Sequence, residues 1–175
     1  MSVKLITATD NRGGIGYKNK LPWHDKDEID HFRNTTLYHT VVMGWSTFVS
    51  LAHQPLLHRK NIVIVNPNKP LTFDDPVISA RISKYLANKI LVFMTFEQCL
   101  KEIRDHPIDT YFIIGGAKTY TKFAPYVDEI IWSKGNFEVE CDTFYQPDLQ
   151  GFKQTKEVYL NDLFTTYYYQ RNKDT

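Results

Sequence analysis

Short apolar runs of strand length recur along the chain, and several are followed by stretches with helical spacing. Most of the runs are rich in Val, Ile, Phe or Tyr, the residue types that favour strands. The predicted strands are 3–8, 40–43, 61–65, 90–94, 111–114, 129–132 and 165–171. The predicted helices are 25–37, 46–52, 96–105 and 117–124. This alternation favours an α/β fold, because strand–helix–strand units return to the same sheet by right-handed crossovers.

The last third of the chain has a different pattern, because its strands follow one another without helices between them. That arrangement favours antiparallel pairing at one edge of the sheet. A chain of 175 residues has the size of one domain. We therefore expect a single domain over 1–175 with a three-layer α/β fold. Its central sheet should be mixed and mostly parallel, with about eight strands, an antiparallel C-terminal hairpin and about four flanking helices.

Local signals refine some of these elements. Ser46 and Thr47 are candidate caps for the second predicted helix, and Thr95 with Gln98 resembles a capping box at the start of the third. The segment 66–89 holds three of the eight prolines, so it is predicted to be a long irregular excursion on the surface.

Charge and composition exclude several classes of function. The formal net charge of +1 provides no broad basic surface, so a nucleic acid is not an expected partner. No apolar run approaches the ~20 residues that cross a bilayer, and the first residues do not form a secretory signal. Cys99 and Cys141 lack the spacing of a metal site and are expected to be free thiols in a reducing compartment. We expect a cytoplasmic monomer with no metal and no membrane partner.

The stretch 21–37, LPWHDKDEIDHFRNTTL, carries the most informative candidate for chemistry. Glu28 follows an apolar Leu21-Pro22-Trp23 corner, and Phe32 lies one helical turn further on the same face. Aromatic neighbours exclude water from a carboxylate and favour its protonated form. Such a group can bind the edge of a flat, nitrogen-rich ring while an aromatic side chain packs against the ring. The other carboxylates nearby are assigned to helix capping and to solvent: Asp25, Asp27 and Asp30.

Two predicted strands run through glycine directly into a predicted helix. One joint is Gly44-Trp45-Ser46-Thr47, and the other is Gly115-Gly116-Ala117-Lys118-Thr119-Tyr120. Such joints leave backbone N–H groups free at the carboxyl end of a strand, and two of them together suit a pyrophosphate. The alternative is that each glycine serves only a tight turn. Neither joint has GxGxxG spacing, and the chain has no GxxxxGK[ST] motif, so a dinucleotide fingerprint and a P-loop are not supported.

The loop 10–20, DNRGGIGYKNK, has three glycines within four positions. No long helix follows it, so we interpret it as a mobile flap over a pocket, with Leu21 and Trp23 as its anchor. An ordinary glycine-rich surface loop is the alternative.

Taken together, these motifs resemble the dihydrofolate reductase family. The segments that carry the resemblance are LITATDNRGGIGYKNKLPW, the helix with Glu28 and Phe32, VVMGWSTF, HRKNIVIV, YFIIGGAKTY and EVECDTFY, which cover residues 3–145 in the order of that family. The resemblance implies an NADP-dependent oxidoreductase, a target of antifolates, that reduces dihydrofolate to tetrahydrofolate with hydride from NADPH. Its product supplies one-carbon metabolism and the synthesis of thymidylate and purines. The alternatives are another NAD(P)H-dependent reductase on the same scaffold, of the riboflavin-pathway type, and a non-catalytic pterin- or dinucleotide-binding protein.

The resemblance also implies roles for individual residues. Glu28 is the active-site acid that holds the pterin, and Ser133 stands where a hydroxyl supports that acid. Arg59 matches the arginine that binds the α-carboxylate of the substrate, a task that suits a two-pronged guanidinium. A cis peptide bond is implied between Gly115 and Gly116.

Three groups of site residues follow from the resemblance. Those assigned to catalysis are Leu21, Trp23, Glu28 and Ser133. Those assigned to the substrate are Ile6, Ala8, Glu28, Ile29, Phe32, Arg33, Leu51, Leu56, Arg59, Ile114, Tyr120 and Ser133. Those assigned to the cofactor are Ala8, Ile15, Gly16, Asn19, Lys20, Leu21, Gly44, Trp45, Ser46, Thr47, Val65, Asn66, Thr95, Gly115, Gly116, Ala117, Lys118, Thr119 and Tyr120.

The chain departs from the family pattern at several positions. Glu28 stands where many bacterial relatives have Asp. Trp45 and Met94 stand where basic residues are common near the 2′-phosphate of the cofactor, which leaves NADH open beside the predicted NADPH. Arg81 and Lys84 are candidates to replace that charge, and Trp45 is a candidate to stack on the adenine.

Overall fold

The computed structural model describes residues 2–173 and contains, within that range, ten strands and five α-helices. The strands are β1 (Ser2–Thr9), β2 (Gly14–Gly16), β3 (Thr40–Gly44), β4 (Lys60–Ile64), β5 (Leu91–Met94), β6 (Thr110–Gly115), β7 (Glu129–Gly135), β8 (Thr143–Phe144), β9 (Phe152–Tyr159) and β10 (Phe164–Arg171). The helices are α1 (Lys26–Thr36), α2 (Trp45–Ser50), α3 (Pro76–Ala87), α4 (Phe96–Asp105) and α5 (Ala117–Phe123), and a 3-10 turn follows at Ala124–Tyr126.

Within the described residues, eight strands form one sheet in the order β5-β4-β3-β6-β1-β7-β10-β9. Pairing is parallel from β5 to β7 and antiparallel where β10 lies between β7 and β9. The remaining strands, β2 and β8, pair with each other. The predicted mixed, mostly parallel sheet with an antiparallel C-terminal hairpin is confirmed.

The sheet forms the middle layer because successive side chains of its buried strands point to opposite faces. On one face, Val42 of β3 joins a cluster that includes Phe123 of α5. On the other face, Val41 of β3 joins a cluster that includes Phe48 of α2 and Ile82 of α3. Helices therefore cover both faces, and the carboxyl ends of the parallel strands meet at one open edge.

The segment 66–89 is not the irregular excursion that its prolines predict, because it contains α3. Asp75 caps this helix by accepting a hydrogen bond from the backbone N–H of Val77. Pro76 occupies the first turn, where a missing N–H costs nothing. Ile82 of the helix is buried against the sheet. An Asp-Pro pair that suggests a turn is here the start of a helix.

Two further local predictions have opposite outcomes. The caps predicted at Ser46 and Thr47 are wrong, because no side chain caps α2. The capping box of Thr95 and Gln98 is confirmed. β9 lacks the apolar run that predicts a strand, because most of its side chains are exposed.

Three properties of the chain bear on the predicted partners. Cys99 is buried and Cys141 is half-buried, and both thiols are free. No helix in residues 2–173 is both long and apolar enough to cross a membrane. Over the same residues, no three or more His, Cys, Asp or Glu side chains are grouped to hold a metal ion.

Candidate active site

A large cleft opens at the carboxyl ends of the parallel strands, where ligands bind in open α/β sheets. Its volume is about 1390 Å³, which exceeds the roughly 300–1,000 Å³ of a pocket for one small ligand. The predicted site residues that line it are Ile6, Ala8, Ile15, Gly16, Asn19, Lys20, Leu21, Glu28, Ile29, Phe32, Gly44, Trp45, Ser46, Thr47, Leu51, Leu56, Val65, Asn66, Ile114, Gly115, Gly116, Ala117, Lys118, Thr119, Tyr120 and Ser133. The cleft therefore has room for two ligands.

Glu28 faces this cleft from the first turn of α1 and is only 7% exposed. Asp25 is the N-cap of α1, and its Oδ1 accepts a hydrogen bond from the backbone N–H of Glu28 at 2.9 Å. Burial and, to a smaller extent, the negative charge of Asp25 together raise the pKa of Glu28 to about 7. At neutral pH a substantial fraction of the molecules therefore carries the protonated carboxyl group, which can donate a proton. Asp25 caps the helix as predicted and also influences the acid.

The other carboxylates of α1 make contacts outside the cleft. Asp30 pairs with Lys26 at 2.7 Å on the exposed side of the helix. Asp27 accepts a hydrogen bond from the side-chain amide of Asn161 at 3.0 Å. Their predicted assignment to the surface agrees with these contacts.

Two hydroxyl groups of the cleft wall are held by other groups of the protein. The Oγ of Ser133 lies 2.8 Å from the Oγ1 of Thr166, and Ser133 is 2% exposed. The Tyr120 hydroxyl donates a hydrogen bond to the backbone carbonyl of Ile6 at 2.8 Å. These bonds fix the positions of both side chains.

The two glycine joints lie side by side, because β3 and β6 are neighbours and Met43 pairs with Gly115. The bond between Gly115 and Gly116 is cis, as the resemblance implies. A Cβ on Gly44 would lie 2.4 Å from the Oγ1 of Thr119, so the two joints approach each other more closely than other residue types allow. A Cβ on Gly116 would meet only the Oγ1 of Thr47, at 3.6 Å, and would otherwise project into open space.

The loop 10–20 borders the cleft and is tied to the segment before β8. Its Asp10 carboxylate is fully buried and accepts hydrogen bonds from the backbone N–H groups of Arg12, Gly14 and Val139. Burial by itself raises the pKa of Asp10, but these bonds and the charge of Arg12 lower it overall. The loop also pairs through β2 with β8. Its mobility stays a prediction.

Four predicted site residues do not line the cleft. Trp23 instead packs edge-on against Phe137, with ring centroids 5.5 Å apart, in a separate pocket of about 250 Å³. The Leu21-Pro22-Trp23 corner therefore directs Leu21 into the cleft and Trp23 behind it. The others outside the cleft lining are Arg33, Arg59 and Thr95.

Sequence reasoning missed several residues of the cleft wall. They are Thr7, His31, Ser50, Ile64, Pro67, Lys69, Pro70, Leu71, Thr72, Phe96, Glu97, Lys122 and Thr143. Most lie just after a parallel strand or one helical turn from a predicted residue. Adjacency to the carboxyl ends of the strands was the signal available for them.

Comparison with known proteins identifies the family. The family model described as dihydrofolate reductase matches residues 2–172. A dihydrofolate reductase of Ureaplasma parvum serovar 3 is 34% identical over 166 residues, covering 95% of this chain and 96% of that protein. The chain belongs to the dihydrofolate reductase family.

Other dihydrofolate reductases agree with this assignment. The protein of Mycoplasma pneumoniae is 33% identical over 167 residues, which cover 95% of this chain and 97% of its own length. A dihydrofolate reductase from Enterococcus faecalis, solved in complex with NADP(H) and RAB-propyl, has the same fold, with a TM-score of 0.77 and 23% identity over 98% of this chain and 97% of that one. Membership of the dihydrofolate reductase family does not favour the riboflavin-pathway alternative.

Proposed function

We infer that this protein reduces dihydrofolate to tetrahydrofolate with hydride from NADPH and so supplies one-carbon metabolism. The observation that carries this conclusion is Glu28, a buried acid with a pKa of about 7 that faces a cleft with room for two ligands. The family assignment gives the reaction. We place the reaction in the cytoplasm and in a single-domain monomer.

The dinucleotide fits the half of the cleft around the two glycine joints. A Cβ on Gly116 would project into that space, whereas glycine leaves it open for a phosphate or a ribose. Ser46 and Thr47 belong to one joint, and Lys118 and Thr119 belong to the other. We propose that these residues hold the pyrophosphate.

The substrate fits the half of the cleft that contains Glu28. The carboxyl oxygens of Glu28 are suited to accept hydrogen bonds from the ring nitrogen and exocyclic amine of the pterin while Phe32 packs against the ring. We propose that Ser133 supports this arrangement from its bond to Thr166. Bound NADPH supplies the hydride, and Glu28 keeps the accompanying proton available beside the ring. The apolar wall excludes water from the reacting atoms.

The tail of the substrate is assigned to Arg59, just outside the cleft. Its guanidinium donates to the Leu57 carbonyl at 2.9 Å and to the Thr36 hydroxyl at 3.0 Å. Burial and the positive charge of Arg33 lower its pKa. Two arginines close together suit the carboxylates of a glutamyl tail, and Leu56 beside them does line the cleft.

Replacing Arg59 with Ala should therefore weaken substrate binding more than it slows turnover. We expect the KM for dihydrofolate to rise roughly tenfold to a hundredfold, since a charge-assisted contact is lost, with little change in kcat. Steady-state kinetics would measure this split. The control is a substrate that lacks the glutamyl tail. An equal rise in the KM for that substrate in Arg59→Ala would contradict the assignment of Arg59 to the tail.

The activity itself is tested with purified protein, dihydrofolate and either NADPH or NADH. We expect the absorbance of NADPH to fall as an equal amount of tetrahydrofolate forms. Tight binding of both ligands without that loss would instead indicate a non-catalytic binding protein. Faster reaction with NADH would contradict the cofactor assignment.

A further inference from the structure

The cleft continues beyond the glycine joints along the segment that follows β4. Gly44 at the end of β3 pairs with Ile64 at the end of β4, so the residues after both strands leave the sheet as neighbours. Asn66 and Lys69 line the cleft in this region. β4 lies four strand spacings from β7, which carries Ser133, a separation of roughly 20 Å. This end of the cleft is therefore distant from the reacting atoms.

NADPH differs from NADH only by a phosphate on the ribose of its adenosine half. A residue that distinguishes the two must therefore place positive charge at the end of the cleft that holds the adenosine. The lysines that line the cleft within residues 2–173 are Lys20, Lys69, Lys118 and Lys122. Their positions differ enough to separate their roles.

Three of these lysines are poorly placed to bind the phosphate on the adenosine ribose. Lys20 belongs to the loop 10–20 next to Leu21, and Lys118 lies within a glycine joint, in the first turn of α5, where it is assigned to the pyrophosphate. The ammonium of Lys122 lies 5.2 Å from the ring centroid of Phe96, and Glu97, the next residue after Phe96, also lines the cleft. A carboxylate there opposes the binding of a phosphate.

Lys69 is placed differently. Its backbone N–H donates to the carbonyl of Asn66 at 3.1 Å, and the side-chain oxygen of Asn66 accepts from the N–H of Asn68 at 2.9 Å. This turn fixes the position of the Lys69 backbone, from which the side chain extends. Among the described residues, no carboxylate forms an ion pair with Lys69. Its charge is free to meet a ligand.

Arg81 and Lys84, which the sequence suggested as replacements for the missing positive charge near the 2′-phosphate, do not lie in the cleft. Arg81 donates to the carbonyl of Ala52 at 3.2 Å, and neither Arg81 nor Lys84 lines the cleft. Trp45, which lines the cleft, packs within 5.9 Å of Phe48, His53 and Phe73, measured between ring centroids. The prediction that Arg81 or Lys84 folds back is wrong.

We propose that Lys69 determines the preference for NADPH over NADH by pairing with the phosphate on the adenosine ribose. The proposal rests on the function proposed above and adds a specificity-determining residue to it. Asn66 is a positioning residue, since it shapes the turn from which Lys69 reaches the cleft.

The test uses calorimetry to measure the binding of NADP⁺ and of NAD⁺ to the wild type and to Lys69→Gln. We expect the Kd for NADP⁺ to rise about tenfold in the variant, because a charge-assisted contact is lost. The Kd for NAD⁺ should change less than about twofold. The preference of the wild type for NADP⁺ over NAD⁺ should also weaken as salt is added. In the variant, added salt should not change the ratio of the two Kd values in this way.

Two variants serve as controls. Lys84→Gln changes an exposed lysine outside the cleft and should bind both dinucleotides as the wild type does. Lys122→Gln should leave the ratio of the two Kd values nearly unchanged. An equal loss of NADP⁺ and NAD⁺ binding in Lys69→Gln, or loss of discrimination in Lys122→Gln alone, would overturn the proposal. Failure of the proposed function would appear separately, as wild-type protein that binds no dinucleotide or reduces no dihydrofolate.

Discussion

Replacing Glu28 with Gln should lower the turnover of dihydrofolate by about 10²–10⁴-fold near pH 7, the range expected when a positioned acid is lost. Gln keeps the size of the side chain but has no proton to give. In the wild type, activity should fall as the pH rises through about 7, because Glu28 loses its proton there. Below about pH 7 the activity of the wild type should level off, whereas the activity of the variant should continue to rise as the pH is lowered.

The deficit of the variant should consequently be largest at and above pH 7. Stopped-flow kinetics across the pH range would measure it separately from product release. The Kd for NADP⁺, which binds away from the carboxylate, is the control and should be unchanged. Near-normal turnover in Glu28→Gln would show that another group supplies the proton.

Glu28→Gln should remain folded, and the pKa of Glu28 gives the reason. The folded pKa is about 7 and the ordinary value is 4.5, so between these values the folded protein binds more protons than the unfolded chain. Wild-type stability therefore falls as the pH rises from 4.5 to 7, by up to about 3 kcal/mol. Because Gln does not titrate, this loss of stability is absent from Glu28→Gln. The variant should therefore be at least as stable as the wild type at pH 8.

Replacing Asn61 with Ala should destabilise the fold by about 3 kcal/mol or more. Asn61 is fully buried on β4, and its side chain accepts from the N–H of Leu56 at 2.8 Å. It also donates to the carbonyls of Leu56 and Arg59, at 2.9 and 3.0 Å. The variant leaves these three backbone groups without their partner. Thermal unfolding should show a fall in Tm of about 6–12 °C.

The same change should reach the active site. Asn61 holds the turn that carries Leu56, which lines the cleft, and Arg59, which is assigned to the substrate tail. The KM for dihydrofolate should rise while the Kd for NADP⁺ changes little. Asn88→Ala, at an exposed asparagine, is the matched control and should stay within about 0.5 kcal/mol of the wild type. A similarly small effect in Asn61→Ala would contradict the role of this side chain.

The sheet was predictable because its central strands are buried on both faces and appear as apolar runs. Val41, Val42 and Met43 of β3 are fully buried, so polar alternation is absent there. β9 escaped prediction for the opposite reason, since consecutive side chains of this edge strand are exposed, so neither an apolar run nor an alternating pattern marks it. The start of α3 escaped because Pro76 marks either a loop or a first helical turn, and only the Asp75 cap distinguishes them.

The acid was predictable because Glu28 and Phe32 are separated by one helical turn and both face the cleft. Trp23 was harder to place, because the direction of a side chain after a Pro corner depends on tertiary contacts such as Phe137. Lys69 had no local signal. Its position depends on the pairing of β3 with β4, which brings the segment after β4 to the cleft.

The protonation state of the Glu28 carboxyl group is the property on which the proposed reaction depends most. Carbon NMR of protein labelled at glutamate side chains, compared with Glu28→Gln, would identify its signal and follow it with pH. We expect the signal to titrate with a midpoint at about pH 7 and to be missing from the variant. A midpoint near the ordinary value of 4.5 would show that the side chain is solvated, and would contradict Glu28 as the buried acid of the reaction.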